Sequence, residues 1–473
     1  MAPSLVRELG AWSAAAVLVG STIGSGIFRV PSEVATVTGT AGAMVMVWVV
    51  GAIVSLFGAL TMAELATLYP RSGGIYVFLR EAYGDRVAFL FGWTQLVVIR
   101  PSALGAIAMI FSEYLHRLVG AGPGVRVVAA AAIVGVGLLN MRPVRRTPWL
   151  ENVTTGTKVV AMLLVPGAAL ALALGGGAGA NSAEAVSITA GAGTSVASVG
   201  PAFSWTGMGV ALVAVLWAYD GWADLTFMAG EVRDPARNLP RALLWGVLAV
   251  VAVYLTVNAA YLTALTVPEM ADSELVAADA ALRLVGAWGA ALVSALVVLS
   301  TLGALNGAMM TGPRIFFAMA EDGTMWRPIA SVHPRFHTPW GAIALATVLG
   351  VGYVSARSFE ELAGGFILGI WPFYALAVGA VILLRRREPD RERVYRTPGY
   401  PWVPVVFLLA SVGMLVSALV REPVLTLAGF AAILAGVPVF EAVRRYRRAH
   451  PLIHNTVQDG ADADIDGGDG SRR

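Results

Sequence analysis

Residues 11–35 read AWSAAAVLVGSTIGSGIFRVPSEVA, and residues 216–227 read LWAYDGWADLTF. Each lies in an apolar run that would pass as one membrane-crossing helix were it not interrupted. Gly20, Gly24, Gly26 and Pro31 interrupt the first, and Asp220-Gly221 the second. Gly20 and Gly24 form a GxxxG face that lets another helix approach closely, so packing alone would explain them. Packing does not explain the aspartate, which at that depth costs several kcal/mol unless it meets a cavity, a partner or unwound backbone. The interruptions lie about 195 residues apart, in the first and sixth apolar runs of the chain. Broken helices at positions one and six are what an inverted repeat of five plus five helices produces.

A helix that unwinds at the bilayer midplane exposes free N–H groups and a positive dipole end where its second half begins, and free carbonyls where its first half ends. The former hold a carboxylate and the latter an ammonium. On this reading the amides of Gly24, Ser25 and Gly26 receive an α-carboxylate, and the carbonyls of Thr22, Trp217 and Asp220 receive an α-amino group. Ile23, Ala218 and Gly221 complete the two breaks as candidate substrate-binding positions. A zwitterionic amino acid matches both ends.

The rest of the chain agrees with a membrane-embedded protein. Of its 473 residues 57% are hydrophobic and only 13% charged, about half the charge of a soluble globular domain. Apolar segments recur from Ala11 to Phe440, and a span needs about 20 residues. Twelve windows stand out: 12–36, 44–69, 87–115, 126–140, 150–173, 204–229, 241–266, 284–319, 341–356, 361–384, 403–420 and 424–440. Runs of this kind must satisfy their backbone internally, and the alternating pattern of a membrane barrel is absent. The expected fold class is therefore all-α integral membrane, with twelve transmembrane helices. Residues 1–400 are read as a ten-helix core, with repeats at about 10–175 and 203–385 followed by a cytoplasmic linker. Two additional helices occupy 401–442 and a cytoplasmic tail 443–473. Residues 174–202 look like a flexible outer connection, and 451–473 like a solvated acidic tail.

Charge placement orients the chain. With a cytoplasmic N-terminus, 25 of the 33 Lys and Arg fall on inner segments and five on outer ones, so both ends are expected in the cytoplasm of a cell in whose inner membrane the protein sits. The remaining three, Arg29, Arg100 and Lys158, fall within spans. The N-terminal run carries no convincing cleavage site and reads as a retained first span. The basic clusters form no continuous face for nucleic acid. The chain has no cysteine, which excludes disulfides, thiol nucleophiles, iron–sulfur clusters and thiolate zinc.

Four strings resemble the L-type amino acid transporter branch of the amino acid–polyamine–organocation superfamily: STIGSGIF, AELATLYPRSGGIYVFLREAYG, RPSALGAIAMIFSEYL and WAYDGWADLTFMAGEVRDPARNLPRAL. They occur in order over most of residues 10 to 340. The resemblance implies twelve helices, the first ten as an inverted repeat, with alternating access and a substrate site at the two breaks. It places the carboxylate-binding amides on Ser25 and Gly26 and an aromatic lid on Trp217. The eighth-span element resembles LSTLGALNGAMMTGPRIFFAMAEDG, which puts Ser300 and Thr301 beside the first helix. Animal members are linked to a glycoprotein heavy chain through an outer-loop cysteine. The corresponding loop here, RLVGAGPGV, has none, so a stand-alone, prokaryotic-type transporter without a disulfide-linked heavy chain is expected.

Lys158 is the only lysine. About 8 residues into span five, it lies roughly 12 Å deep, where an ammonium wants an internal partner. It either snorkels to the headgroups or, as the resemblance implies, stands where relatives bind sodium, bridging spans one, five and eight. The second reading predicts sodium-independent transport, with the amine also able to carry a coupling proton. Asp220 reads equally as a helix cap and as a selector of cationic substrates. Arg100 precedes Pro101 near the middle of span three; Glu113, about 20 Å away, is too far to be its partner, so Arg100 either bonds carbonyls freed near Pro101 or lines the aqueous path. Ala103, Gly105 and Ile107 are small or aliphatic residues bordering the expected side-chain pocket.

The five histidines fall in expected loops or the tail, and no facing pair of intramembrane acids is apparent, so neither a metalloenzyme nor an aspartyl enzyme is expected. No ring or filter marks a channel. No metal or cofactor is expected. The partners are membrane lipid and a small-molecule amino acid, moved by exchange or by proton-coupled uptake. A cationic amino acid or polyamine carrier is the alternative, although a polyamine would leave the amides of Ser25 and Gly26 without a carboxylate.

Overall fold

The computed structural model describes residues 9–71, 73–120, 122–141, 148–174, 205–321, 331–333 and 338–449. The sequence expectations for 174–202 and 451–473 fall almost wholly outside these residues. Among the described residues the chain is helical with no strand; one isolated bridge pairs Leu9 with Val232.

Helix α1 (Ala11–Thr22) stops after twelve residues. A short 3-10 turn (Gly26–Phe28) and α2 (Val30–Thr38) continue the first apolar run beyond the break. Then come α3 (Ala41–Leu68), α4 (Gly74–Tyr83), α5 (Asp85–Thr94), a π-helical turn at Gln95–Ile99, α6 (Arg100–Val119), α7 (Val125–Met141) and α8 (Pro148–Leu174). The sixth run is broken again, into α9 (Trp205–Tyr219) and the single turn α10 (Asp224–Phe227). The chain continues through α11 (Pro235–Ala264), α12 (Val267–Ala271), α13 (Val276–Val285), α14 (Ala287–Glu321), α15 (Trp340–Ala356), α16 (Phe359–Arg387), α17 (Trp402–Arg421), α18 (Pro423–Leu434) and α19 (Gly436–Ala449).

Among the described residues seven stretches are long and apolar enough to cross a bilayer, and five shorter apolar helices accompany them. Each coincides with one of the hydropathy windows. Local chemistry sets the ends. Thr40 Oγ1 accepts from the Ala43 amide at the start of α3, and Ser358 and Glu361 form a reciprocal capping box at the start of α16, satisfying donors that a helix start leaves free. Three arginines in the last turn of α16 complement its dipole.

Two amphipathic helices, α4 and α13, escaped the hydropathy reading. Each has ten residues and ends at a glycine in the left-handed region, Gly84 (φ 86°) and Gly286 (φ 85°), that leads directly into a long span. One of the histidines placed in loops, His116, instead lies in the last turn of α6. The α5–α6 stretch is the most enclosed of the long spans; α6 packs against α7, α14, α15 and α16. Around it α1 and α3 pack on α11, and α8 on α11 and α14.

Candidate functional site

The two breaks touch, and glycines make the contact. A Cβ on Gly26 would lie 2.8 Å from Ala218 Cα, and one on Gly221 would lie 2.8 Å from both Thr22 Cα and Thr22 N. Gly221 also sits at φ 119°, a region in which L side chains are strained. Each break therefore admits the backbone of the other only because a side chain is missing.

One hydroxyl fastens the crossing. Tyr254 Oη on α11 lies 2.9 Å from the Thr22 carbonyl and 3.1 Å from the Ala218 carbonyl, both left open where α1 and α9 end. Ser21 Oγ reaches the Gly221 carbonyl at 3.2 Å. The Ile23 amide closes α1 on Val19 O at 2.8 Å. By contrast, among the described residues the amides of Ser25 and Gly26 reach no backbone carbonyl. They are the free donors that a helix restart leaves.

A cavity of about 310 Å³ opens beside these groups, the size of a small-ligand pocket. Thr22, Gly24, Ser25 and Gly26 line it from the first break, and Trp217, Ala218, Asp220 and Gly221 from the second. Trp217 stands edge-on to Phe366 of α16, ring centroids 4.8 Å apart, and Phe366 also lines the cavity. The wall opposite is made of small residues of α14, among them Gly303, Ala304 and Gly307.

Four ionisable side chains face this space: Arg100, Lys158, Asp220 and Asp224. Lys158 Nζ lies 3.4 Å from the Gly20 carbonyl, in the last turn of α1. Asp220 Oδ1 accepts from the Tyr374 hydroxyl at 2.8 Å, so Tyr374 occupies one of its lone pairs. Arg100 Nε donates to Gln95 Oε1 at 3.1 Å. Its stem packs against Gly312, and its charge bears on Asp220 and Asp224. With two cations and two carboxylates the cavity is close to charge-balanced.

A family model described as amino acid permease matches residues 9–439. The chain belongs to the amino acid permease family. It is a multi-pass membrane transporter of amino acids and not an enzyme, in keeping with its resemblance to the L-type branch. The serine/threonine exchanger SteT of Bacillus subtilis (strain 168) is 31% identical over 445 residues, covering 93% of this chain and 98% of the relative. The human b(0,+)-type amino acid transporter 1 is 33% identical over 429 residues, 89% of this chain and 84% of the relative. The human cystine/glutamate transporter is 30% identical over 443 residues, 92% of this chain and 85% of the relative. This permease has no cysteine and so forms no disulfide to a partner chain.

Of the twelve substrate-binding and coupling positions named from the sequence, nine line the cavity of the permease and three do not. Ile23 is buried behind the break. Ser300 and Thr301 are buried on α14; Thr301 Oγ1 donates back to Val297 O at 2.8 Å, and the Ser300 hydroxyl has no hydrogen-bond partner. Ala103 and Ile107 line the cavity, whereas Gly105 packs against Leu362. The carbonyls expected to await an ammonium are partly occupied: Thr22 O by Tyr254, and Trp217 O by the Asp220 amide at 3.3 Å. Sequence reading missed Tyr254, Tyr374 and Phe366. Each is an aromatic residue in an apolar span, where nothing but tertiary contact separates a site residue from a core one.

Proposed function

We propose that this permease exchanges neutral amino acids across the cell's inner membrane without sodium, through twelve spans whose first ten form an inverted repeat. The carrying observation is the crossing of the two breaks on one cavity, with the free amides of Ser25 and Gly26 on its wall. A carboxylate suits those amides, and the near balance of charge favours a zwitterion over a net cation or anion. The names of the relatives support exchange and amino acid substrates.

The inverted repeat is supported by the corresponding breaks after α1 and α9, and by α4 and α13 entering the third long helix of each half. Among the described residues, seven long and five shorter apolar helices support the reading of twelve crossings. The arginine bias supports cytoplasmic termini. In that orientation Lys158 and Thr311 belong to the cytoplasmic halves of their spans and Phe366 to the outer half of its own, which supports a cavity that communicates with the cell interior beneath Trp217 and Phe366.

Sodium independence rests on Lys158. Its ammonium beside Gly20 O places a fixed positive charge against the first broken helix, where a cation would otherwise have to bind. The Asp224 carboxylate, which faces the cavity and accepts no hydrogen bond among the described residues, is what favours the second reading, transport of cationic amino acids. Uptake of a labelled amino-acid panel into proteoliposomes tests both, with sodium replaced by choline and with or without internal substrate. Uptake of neutral amino acids that needs internal substrate supports the proposal. Strict sodium dependence, or uptake of cationic substrates alone, would overturn it.

A further inference from the structure

Span α16 is held at its two ends by ionic clusters of opposite quality. At its C-terminal end Glu64 of α3 is 2% exposed and fully engaged. Arg385 donates to it through Nε at 2.8 Å and Nη2 at 2.7 Å, and Thr397 through its amide at 2.8 Å and hydroxyl at 2.7 Å. Arg393 Nε stands 3.4 Å away. A buried carboxylate bonded in this way is costly to pull apart.

The other end is held by Arg29, just past the first break, whose amide bonds Gly26 O at 3.1 Å. Its guanidinium gathers three elements: Glu360 of α16 (Nη2 to Oε1, 3.1 Å), the Glu274 carbonyl between α12 and α13 (Nη1, 2.9 Å) and Glu113 of α6 (Nε to Oε2, 3.8 Å). Phe359 of α16 lies against it, 5.6 Å from the guanidinium carbon. This cluster is poorly satisfied. Arg29 Nε, Glu113 Oε2 and Glu33 Oε1 are buried without a hydrogen bond, Glu360 is half exposed, and a cavity of about 500 Å³ lies alongside. Desolvated charges bonded so incompletely gain most from water, so opening costs less at this end than at Glu64.

Between its ends α16 carries two contacts of the substrate site, Phe366 on Trp217 and Tyr374 on Asp220. Pro372 lies between them and removes a helix bond there. We propose that Arg29 is the latch of the permease's outer gate. It holds α16 over the substrate site, and when it lets go α16 swings outward about the pin at Glu64. Arg29 is a positioning residue that ties the carboxylate-binding break to closure of the outer mouth. The assignment of this mouth as outer rests on the orientation proposed above.

The chain lacks cysteine, so one introduced thiol reports the gate. Gly364 of α16 lines the cavity beside the latch, and a Cβ there meets nothing within 4 Å. Gly364→Cys in intact cells is treated with membrane-impermeant thiosulfonates, one cationic and one anionic, with no substrate present. Adding Arg29→Gln or Glu360→Gln is expected to raise both labelling rates by about tenfold, the effect of losing one partner of a half-buried charge cluster. Arg29→Lys, which keeps the charge without the fork, should raise them less. Glu64→Gln should lower thermal stability in detergent without raising either rate.

Unchanged rates in both neutral variants would overturn the latch, as would opposite changes with the two reagents, which report charge alone. An equal rise in Glu64→Gln, which reports general loosening, would do the same. If Arg29→Gln does not fold by gel filtration, Glu360→Gln decides. Labelling reached only after permeabilisation would overturn the orientation; the rate ratio still decides the latch, and neither readout depends on transport.

Discussion

Gly26→Ala is the sharpest test of the crossing. The added methyl would sit 2.8 Å from Ala218 Cα and 3.1 Å from Ala218 Cβ, closer to backbone than real Cβ atoms come, and no flexible chain end is there to yield. Overpacking of this kind costs about 1–3 kcal/mol, spent in pushing the second break away from the first. In binding terms that is a loss of about 5- to 150-fold. Gly24→Ala is the control, since its methyl would meet only Thr22 O, at an ordinary 3.7 Å. The assay is thermal unfolding of detergent-purified protein, followed by equilibrium binding of whichever amino acid proves to be transported. Gly26→Ala is expected to lower both the midpoint and the affinity, and Gly24→Ala to leave the midpoint near that of the parent. Equal midpoints for the two variants would refute the contact between the breaks.

Tyr254→Phe removes the donor shared by Thr22 O and Ala218 O. Leaving a buried carbonyl unsatisfied costs about 1–3 kcal/mol, so substrate affinity is expected to fall by at least about fivefold, read by binding in detergent; unchanged affinity would make the hydroxyl incidental. Lys158→Ala is expected to abolish most exchange while insertion and gel-filtration behaviour stay normal, and near-parental uptake would make Lys158 a snorkelling residue. Replacing sodium by choline is expected to leave the initial uptake rate of the parent unchanged. Gly221→Ala combines a 2.8 Å backbone contact with φ 119° and should destabilise more than Gly26→Ala in the same unfolding assay.

What could be read from sequence follows from how far apart the interacting residues lie. The breaks were visible because Asp220 and the glycines of the first run contradict their own apolar surroundings, and a contradiction is local. Helices α4 and α13 were not, because a ten-residue amphipathic helix disappears in the window of about 19 residues that finds spans. Arg100 is an intermediate case. Its partner, Gln95, is five residues away, a spacing that an α-helix does not pair. The π turn at Gln95–Ile99 bonds the Arg100 amide to Gln95 O and so brings the two side chains to one face. Glu113 lies too far along the helix to reach Arg100; its partner is Arg29, 84 residues earlier, which no periodicity reveals. Tyr254 and Tyr374 act across 232 and 154 residues and look like any aromatic residue in a span.

The three polar assemblies of this permease differ in how completely they are bonded, and that difference orders them in energy. Glu64 has both oxygens filled and nothing to gain from water. The breaks have the Thr22 and Ala218 carbonyls covered by Tyr254 and, among the described residues, the amides of Ser25 and Gly26 without a backbone partner, so they gain from a carboxylate. The Arg29 cluster keeps three buried atoms without a hydrogen bond and gains from hydration. On the proposed reading a carboxylate at Gly26 would load the residue whose carbonyl anchors the Arg29 backbone, so binding at the middle assembly would change the footing of the weakest one and leave the strongest as the fixed point. Alternating access needs such an order, because a helix clamped equally at both ends has no preferred place to open.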